Sequence, residues 1–205
     1  LFTPEGADYS WPFDIEKVRE EQPRDKQPVT RTYTLINLDP ETGDFDVDFV
    51  THGDFGLAAP WARTVELGAK IGFFGPGGAW GPGEEYEHFV FAGDESAAPA
   101  IGAGLKHLPE GATATAFIEI EAEDRKFELP TREGVDVIWV IRDGATHGTE
   151  LSRVVRSAGV PASKKTSWFI HGVAEMIKEM RRFLFVDSEI PREDVSISGY
   201  WRIGM

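Results

Sequence analysis

Two rhythms of apolar and polar positions run along this chain, and one gives way to the other near Pro82 to Glu87. In the earlier part, apolar residues alternate with polar ones, as on strands with one wet face and one buried face. The clearest case is Asp44-Phe45-Asp46-Val47-Asp48-Phe49-Val50. It predicts a strand paired with a second strand over Thr30–Leu38, joined by the turn Asp39-Pro40-Glu41-Thr42-Gly43 with Pro early and Gly late. A further strand is predicted over Lys70–Phe74, ended by Gly75-Pro76-Gly77-Gly78. Residues 12–28, rich in proline and charge, read as a surface loop.

From His88 onward, short continuous apolar runs alternate with helical stretches. Such runs mark strands buried on both faces. The pattern predicts strands over residues 88–92, 113–120, 135–141, 166–171 and 195–201, with helices over 97–108, 148–157 and 173–185. Strands alternating with helices imply a parallel sheet with crossover connections. The expected organisation is therefore two domains, an antiparallel β-barrel over 1–85 and an α/β domain over 86–205. The chain opens with Leu1-Phe2-Thr3-Pro4, read as the end of a strand, so the barrel is expected to be incomplete at its N-terminus.

Composition narrows the chemistry. The 205 residues are 41% hydrophobic, with 22 Gly and 13 Pro, which favours many turns over a helical bundle. There is no Cys, so thiolate zinc sites, Cys-held iron–sulfur clusters and structural disulfides are excluded. Redox chemistry would have to come from an organic cofactor. The five His are scattered without ligand spacing, so no resident metal site is expected. A formal charge of −14 argues against nucleic acid and anionic membranes as partners. No apolar run approaches the roughly 18 residues of a membrane span. A cytoplasmic monomer is the expectation.

Arg31-Thr32-Tyr33-Thr34 sits at the start of an alternating strand. A guanidinium there can grip a flavin nucleotide's phosphate with a bidentate fork. Two residues on, the Tyr33 ring lies on the same strand face and can rest against an isoalloxazine, and Thr34 can offer its N–H and hydroxyl to the flavin edge. Taken alone, the four residues read rather as a solvated strand face.

Three further stretches follow in order: His52-Gly53-Asp54-Phe55-Gly56-Leu57-Ala58-Ala59-Pro60-Trp61-Ala62, Ala92-Gly93-Asp94-Glu95-Ser96-Ala97-Ala98-Pro99-Ala100-Ile101 and Ser198-Gly199-Tyr200-Trp201-Arg202-Ile203-Gly204. Together with the Arg31 motif, these resemble the siderophore-interacting protein family, FAD-dependent ferric-siderophore reductases of ferredoxin reductase-like fold. The sequence departs from that pattern at Ile36, where a second Arg is common, at Ala59, where a Ser is common, and at His171-Gly172-Val173-Ala174-Glu175, where Ala-Gly-Glu is common.

The resemblance implies an FAD site made by Arg31, Tyr33, Thr34, His52, Gly53, Gly56, Ala58, Ala59 and Trp61. Backbone N–H groups of Ala58 and Ala59 can serve the pyrophosphate in place of the absent Ser. His52 reads as a cofactor contact or a turn residue, and Trp61 as an adenine stack or the apolar anchor of a helix. Gly93, Asp94, Glu95 and Ser96 are placed where the first α/β strand meets its helix, at the nicotinamide-facing crevice, with Asp94 or Ser96 also suited to capping that helix. Arg142, Tyr200 and Trp201 are assigned to the same edge, and Arg202 to an anionic ferric chelate.

For the dinucleotide ribose, Glu119 or Glu121 would suit a free 2′-hydroxyl, whereas Arg142, Lys164 and Lys165 would suit a 2′-phosphate. The bases tilt the expectation toward NADPH over NADH. The implied activity passes electrons from NAD(P)H through FAD to Fe(III) in a siderophore. Two other readings stay open: a general flavin or quinone reductase of the same fold, and a non-enzymatic ferric-siderophore binding protein.

Overall fold

The computed structural model describes every residue except Glu5, Ser10, Trp11, 52–55, Ala79, Ser163 and Met205. The chain forms two compact units, Leu1–Gly77 and Gly78–Met205.

In the first unit, the stretch expected to be a loop contains a helix, α1 (Ile15–Glu21), followed by a 3₁₀ turn at Arg24–Lys26. Its start is set by Asp14, whose carboxylate accepts from the N–H groups of Glu16 at 2.9 Å and Lys17 at 3.3 Å. Only Val18 of the helix is buried, so the apolar signal was a single residue in a charged run. A second short helix, α2, spans Ala58–Thr64.

The predicted hairpin turn forms: Asp39 and Asp44 are joined by a 2.8 Å backbone bond, and Asp39 also accepts from Gly43. The Asp39 carboxylate accepts from the N–H groups of Glu41 and Thr42, which holds it below its ordinary pKa. Among the described residues of this unit, no regular strand is defined. Among the described residues, backbone pairing in this unit is limited to the antiparallel bridges Phe2↔Val29 and Ile36↔Asp46. A strand is defined by its partner, and Ile36 and Asp46 exchange one narrow pair of bonds without a ladder on either side. What gathers this unit is aromatic: Phe2 meets Trp61 at 5.5 Å and Tyr33 at 6.4 Å, and Tyr33 meets Phe49 at 4.7 Å.

The second unit is a parallel sheet of five strands: β1 (His88–Gly93), β2 (Thr113–Ile120), β3 (Val135–Ile141), β4 (Thr166–Val173) and β5 (Val195–Trp201). Their spatial order is β3-β2-β1-β4-β5. The central β1 pairs β2 and β4, with Gly93 level with Ile118 and His171. Helices α3 (Ala98–Lys106), α4 (Thr149–Ala158) and α5 (Ala174–Arg182) connect them, and α5 runs on into a π-helical turn over Phe183–Asp187.

Alternation sorts the side chains into two cores. Phe89 and Phe91 of β1 join Ile101 and Leu105 of α3 on one face. Val90 and Ala92 join Leu151 and Val155 of α4 and Met176 and Met180 of α5 on the other. Being covered on both sides, β1 and β4 are almost wholly buried, which is why they read as unbroken apolar runs. The edge strand β3 keeps Asp136 and Ile138 exposed. Trp80 lies 4.6 Å from the Phe169 ring, so the segment before β1 joins this unit. Among the described residues, no helix is long and apolar enough to cross a membrane.

Ile101→Ala would empty a fully buried position and is expected to lower stability by about 2–5 kcal/mol. Leu67→Ser, at a side chain that is fully exposed, is expected to change it by no more than about 0.5 kcal/mol. Urea denaturation followed by circular dichroism checks both.

Candidate functional site

The strand order reverses between β1 and β4, which opens a crevice outside their carboxyl ends. Both strands reach it through glycine. A Cβ on Gly93 would stand 2.5 Å from the Ala97 Cβ and 2.8 Å from the His171 carbonyl. Gly172 has a φ of +140°, and a Cβ there would meet the Asp94 carboxylate at 2.7 Å. Only glycine lets the backbone and the acid approach this closely.

Asp94 follows β1 and is 1% exposed. Its Oδ1 accepts from the N–H of Ser96 at 3.0 Å and from the Ser96 hydroxyl. Its Oδ2 accepts from the Val173 N–H at the end of β4 and the Trp201 indole N–H at the end of β5, both at 2.8 Å. One carboxylate thus joins three strand ends and the turn into α3. Trp201 is therefore turned onto Asp94, and the His147 ring meets it edge-on at 4.8 Å. Tyr200, 46% exposed, meets the His171 ring at 4.9 Å, tilted by 41°. Burial and then the Asp94 charge push the Tyr200 hydroxyl above its ordinary pKa.

His171 is the residue that sequence reasoning passed over. It is buried between Phe169, at 4.0 Å, and Tyr200, with Nε2 3.1 Å from the Ser196 hydroxyl. Burial outweighs a bond to the Ser198 backbone and drives its pKa down to about 4, so the ring is neutral near pH 7. Its one sequence signal was a polar residue closing an apolar run where a small residue is common.

Glu95, next to Asp94, reaches the opposite half of the sheet. Its carboxylate holds the Arg142 guanidinium at 3.0 Å, and Glu119 holds the same group at 3.2 Å. Glu119 is fully buried, and both its oxygens accept from the Gly148 N–H that starts α4. Arg142 is thus committed to two carboxylates rather than open to a 2′-phosphate, and Glu119 is not open to a ribose. Lys164 and Lys165 precede β4 at the opposite edge. Lys164 donates to Thr113 at the start of β2, and Lys165 sits over the Tyr86 ring at 4.7 Å. The three bases weighed for a 2′-phosphate do not converge. Arg202 is exposed just beyond β5.

In the first unit, Arg31 is exposed and donates to the Thr30 carbonyl at 2.9 Å. Tyr33 and Thr34 are half-buried, and burial pushes the Tyr33 hydroxyl upward in pKa. Gly56 has a φ of +81° just before α2, Ala58 opens that helix, and Ala59 is buried within it. Trp61 packs on Phe2 and Phe49, the apolar-anchor arrangement. A cavity of about 120 Å³ lies beside it, lined by Phe2, Leu57, Trp61 and Ile71. His52 and Gly53 lie outside the described residues. Among the described residues, no three His, Asp or Glu side chains gather as a metal-holding group.

The second unit is thus a doubly wound parallel α/β unit with its switch point between β1 and β4. The siderophore-interacting protein family model matches residues 86–204, and that of the siderophore-interacting FAD-binding domain matches residues 1–80. An uncharacterised protein of Mycobacterium tuberculosis is 36% identical over 194 residues, covering 89% of this chain and 68% of that protein. The ferric vibriobactin reductase of Vibrio cholerae is 30% identical over 179 residues, covering 87% and 66%. The solved structure of the siderophore-interacting protein from Acinetobacter baumannii matches with a TM-score of 0.77 at 28% identity, covering 90% of this chain and 74% of that one. This chain belongs to the siderophore-interacting protein family.

The low pKa of His171 predicts an acid-side loss of stability. The folded state takes up a proton near pH 4 and the unfolded chain near 6.5, so this contribution is complete above 6.5 and falls away as the pH drops to 4. The loss is roughly 3 kcal/mol at most. Urea midpoints across that window should fall more steeply for the natural chain than for His171→Gln; equal slopes would refute the assignment.

Proposed function

We propose that this chain is an FAD-dependent reductase of ferric siderophores, moving electrons from a nicotinamide dinucleotide to Fe(III) in the chelate and so releasing Fe(II). One observation carries the reading: the FAD-binding and siderophore-interacting family models match in order along the chain. It is supported by the V. cholerae relative, which bears the name of a ferric reductase. The family's ferredoxin reductase-like plan pairs a flavin-binding barrel with an α/β dinucleotide domain, and we assign residues 1–85 and 86–205 to these parts.

The residues present suit FAD. Arg31 spends one bond on the neighbouring carbonyl, which leaves other donors of its fork for a phosphate. Tyr33 lies two residues on and offers a half-buried ring, with Thr34 beside it for the polar flavin edge. Gly56, Ala58 and Ala59 bring backbone N–H groups for the pyrophosphate, and Trp61 secures the helix that carries them. His52 and Gly53 are assigned to the same cofactor by their place in the motif. Flavin, when bound, supplies the change from two-electron to one-electron transfer.

At the crevice, Asp94 holds Ser96, Val173 and Trp201 in place. The edge that meets the dinucleotide and the flavin is assigned to Gly93, Asp94, Glu95, Ser96, Tyr200 and Trp201, with Arg142 bracing it through Glu95. Arg202, exposed beyond β5, is assigned to the anionic ferric chelate. Reduction aids release because hard oxygen ligands hold Fe(II) less tightly than Fe(III). A nicotinamide donor fits a reaction in the cytoplasm, to which we assign it.

The purified protein, incubated with FAD, should show a visible flavin spectrum that bleaches under argon with a reduced nicotinamide dinucleotide and returns on adding a ferric siderophore. Failure to hold FAD would overturn the reading. Bleaching that quinones reverse and ferric chelates do not would replace it with a general flavin reductase.

A further inference from the structure

The buried ion cluster at the ends of β2 and β3 bears on which donor the crevice accepts, an inference that rests on the nicotinamide reading above. Arg142 is 8% exposed, and both terminal nitrogens of its guanidinium are engaged by Glu95 and Glu119. Drawing it outward would leave Glu119, at 0% exposure, without its counter-charge, which is strongly unfavourable. Glu119 in turn anchors the N–H of Gly148, the residue just before α4, so the cluster is structural on both sides. Arg142 is thus a neutralising group inside the fold.

What remains at the surface beyond β2 and β3 is mostly acidic. Glu121, Glu123, Asp124 and Asp143 are exposed there against Arg125 and Lys126, and Lys126 is already paired with Glu123. The two lysines preceding β4 stand at the other edge of the sheet, where Lys164 is bonded to the first residue of β2. In parallel doubly wound folds, an acid near the end of the second strand accepts from the ribose 2′-hydroxyl. A phosphate on that hydroxyl would bring a dianion against carboxylates.

We infer that this crevice selects the nicotinamide dinucleotide without a 2′-phosphate, NADH over NADPH. Glu121 accepts from the adenosine ribose, and the Glu95–Arg142–Glu119 cluster withholds a buried cation that would otherwise favour a phosphate. Glu95 is the specificity-determining partner, because it occupies the more exposed side of Arg142.

The test is calorimetric titration of the purified chain with NAD⁺ and with NADP⁺, which reads binding independently of turnover. NAD⁺ is expected to bind at least about tenfold more tightly, the scale of a like-charge penalty. Glu95→Gln, which frees one side of Arg142, should narrow that ratio by raising NADP⁺ affinity, whereas Lys164→Ala should leave both affinities unchanged. Equal or tighter binding of NADP⁺ in the natural chain overturns the inference and leaves the nicotinamide reading intact. Weakened NADP⁺ binding in Lys164→Ala also overturns it, since the phosphate would then be held at the other edge. If neither dinucleotide binds, the nicotinamide reading falls and the inference with it.

Discussion

A single carboxylate, that of Asp94, is what the working edge of the second unit depends on. Strands that lie side by side in a parallel sheet must each end somewhere, and their terminal polar groups need partners. Asp94 accepts from Ser96 twice, from Val173 and from Trp201, which fills the roughly four acceptor sites of a carboxylate. A buried charge is tolerable only when hydrogen-bonded in this way. The glycine at 172 follows from the same demand, since a Cβ there would meet the acid, whereas Gly93 makes room for Ala97 and the His171 carbonyl.

The neighbouring acid does the complementary work. Asp94 ties β1 to β4 and β5, whereas Glu95 ties the same loop, through Arg142, to Glu119 of β2 and so to the start of α4. Two consecutive carboxylates thus fasten the turn after β1 to both halves of the sheet. The crevice is the gap the topology opens at the reversal of strand order. Tyr200 and His171 meet as a tilted ring pair at the ends of β5 and β4.

The second unit was legible in the sequence because its strands alternate with helices and its central strands β1 and β4 are buried on both faces. The runs over 113–120, 135–141 and 195–201 coincide with β2, β3 and β5, while β4 runs two residues beyond the expected end, to Val173. In the first unit, a seven-residue helix with one buried side chain left no periodic signal inside a charged segment. The alternation over residues 44–50 identified a hairpin, but alternation alone does not supply the neighbouring strands that make a ladder. Among site residues, the Gly-Asp-Glu-Ser motif was readable as local chemistry. The commitment of Arg142 was not, because its partners lie 47 and 23 residues away and only the fold assembles them. His171 was missed for a related reason, since its meaning comes from Ser196 and Tyr200 on the adjacent strand.

The most direct measurement of the Asp94 clasp is hydrogen exchange at the Trp201 indole N–H, followed by NMR in the natural chain and in Asp94→Asn. Exchange at that group should be slow in the natural chain and at least about tenfold faster in the variant, the loss of a bond to a charged acceptor. The indole of Trp168, fully buried in the α4–α5 core, should stay protected in both. A Trp201 indole that exchanges equally fast in the two proteins would show that the carboxylate does not hold the strand ends, and would contradict the account.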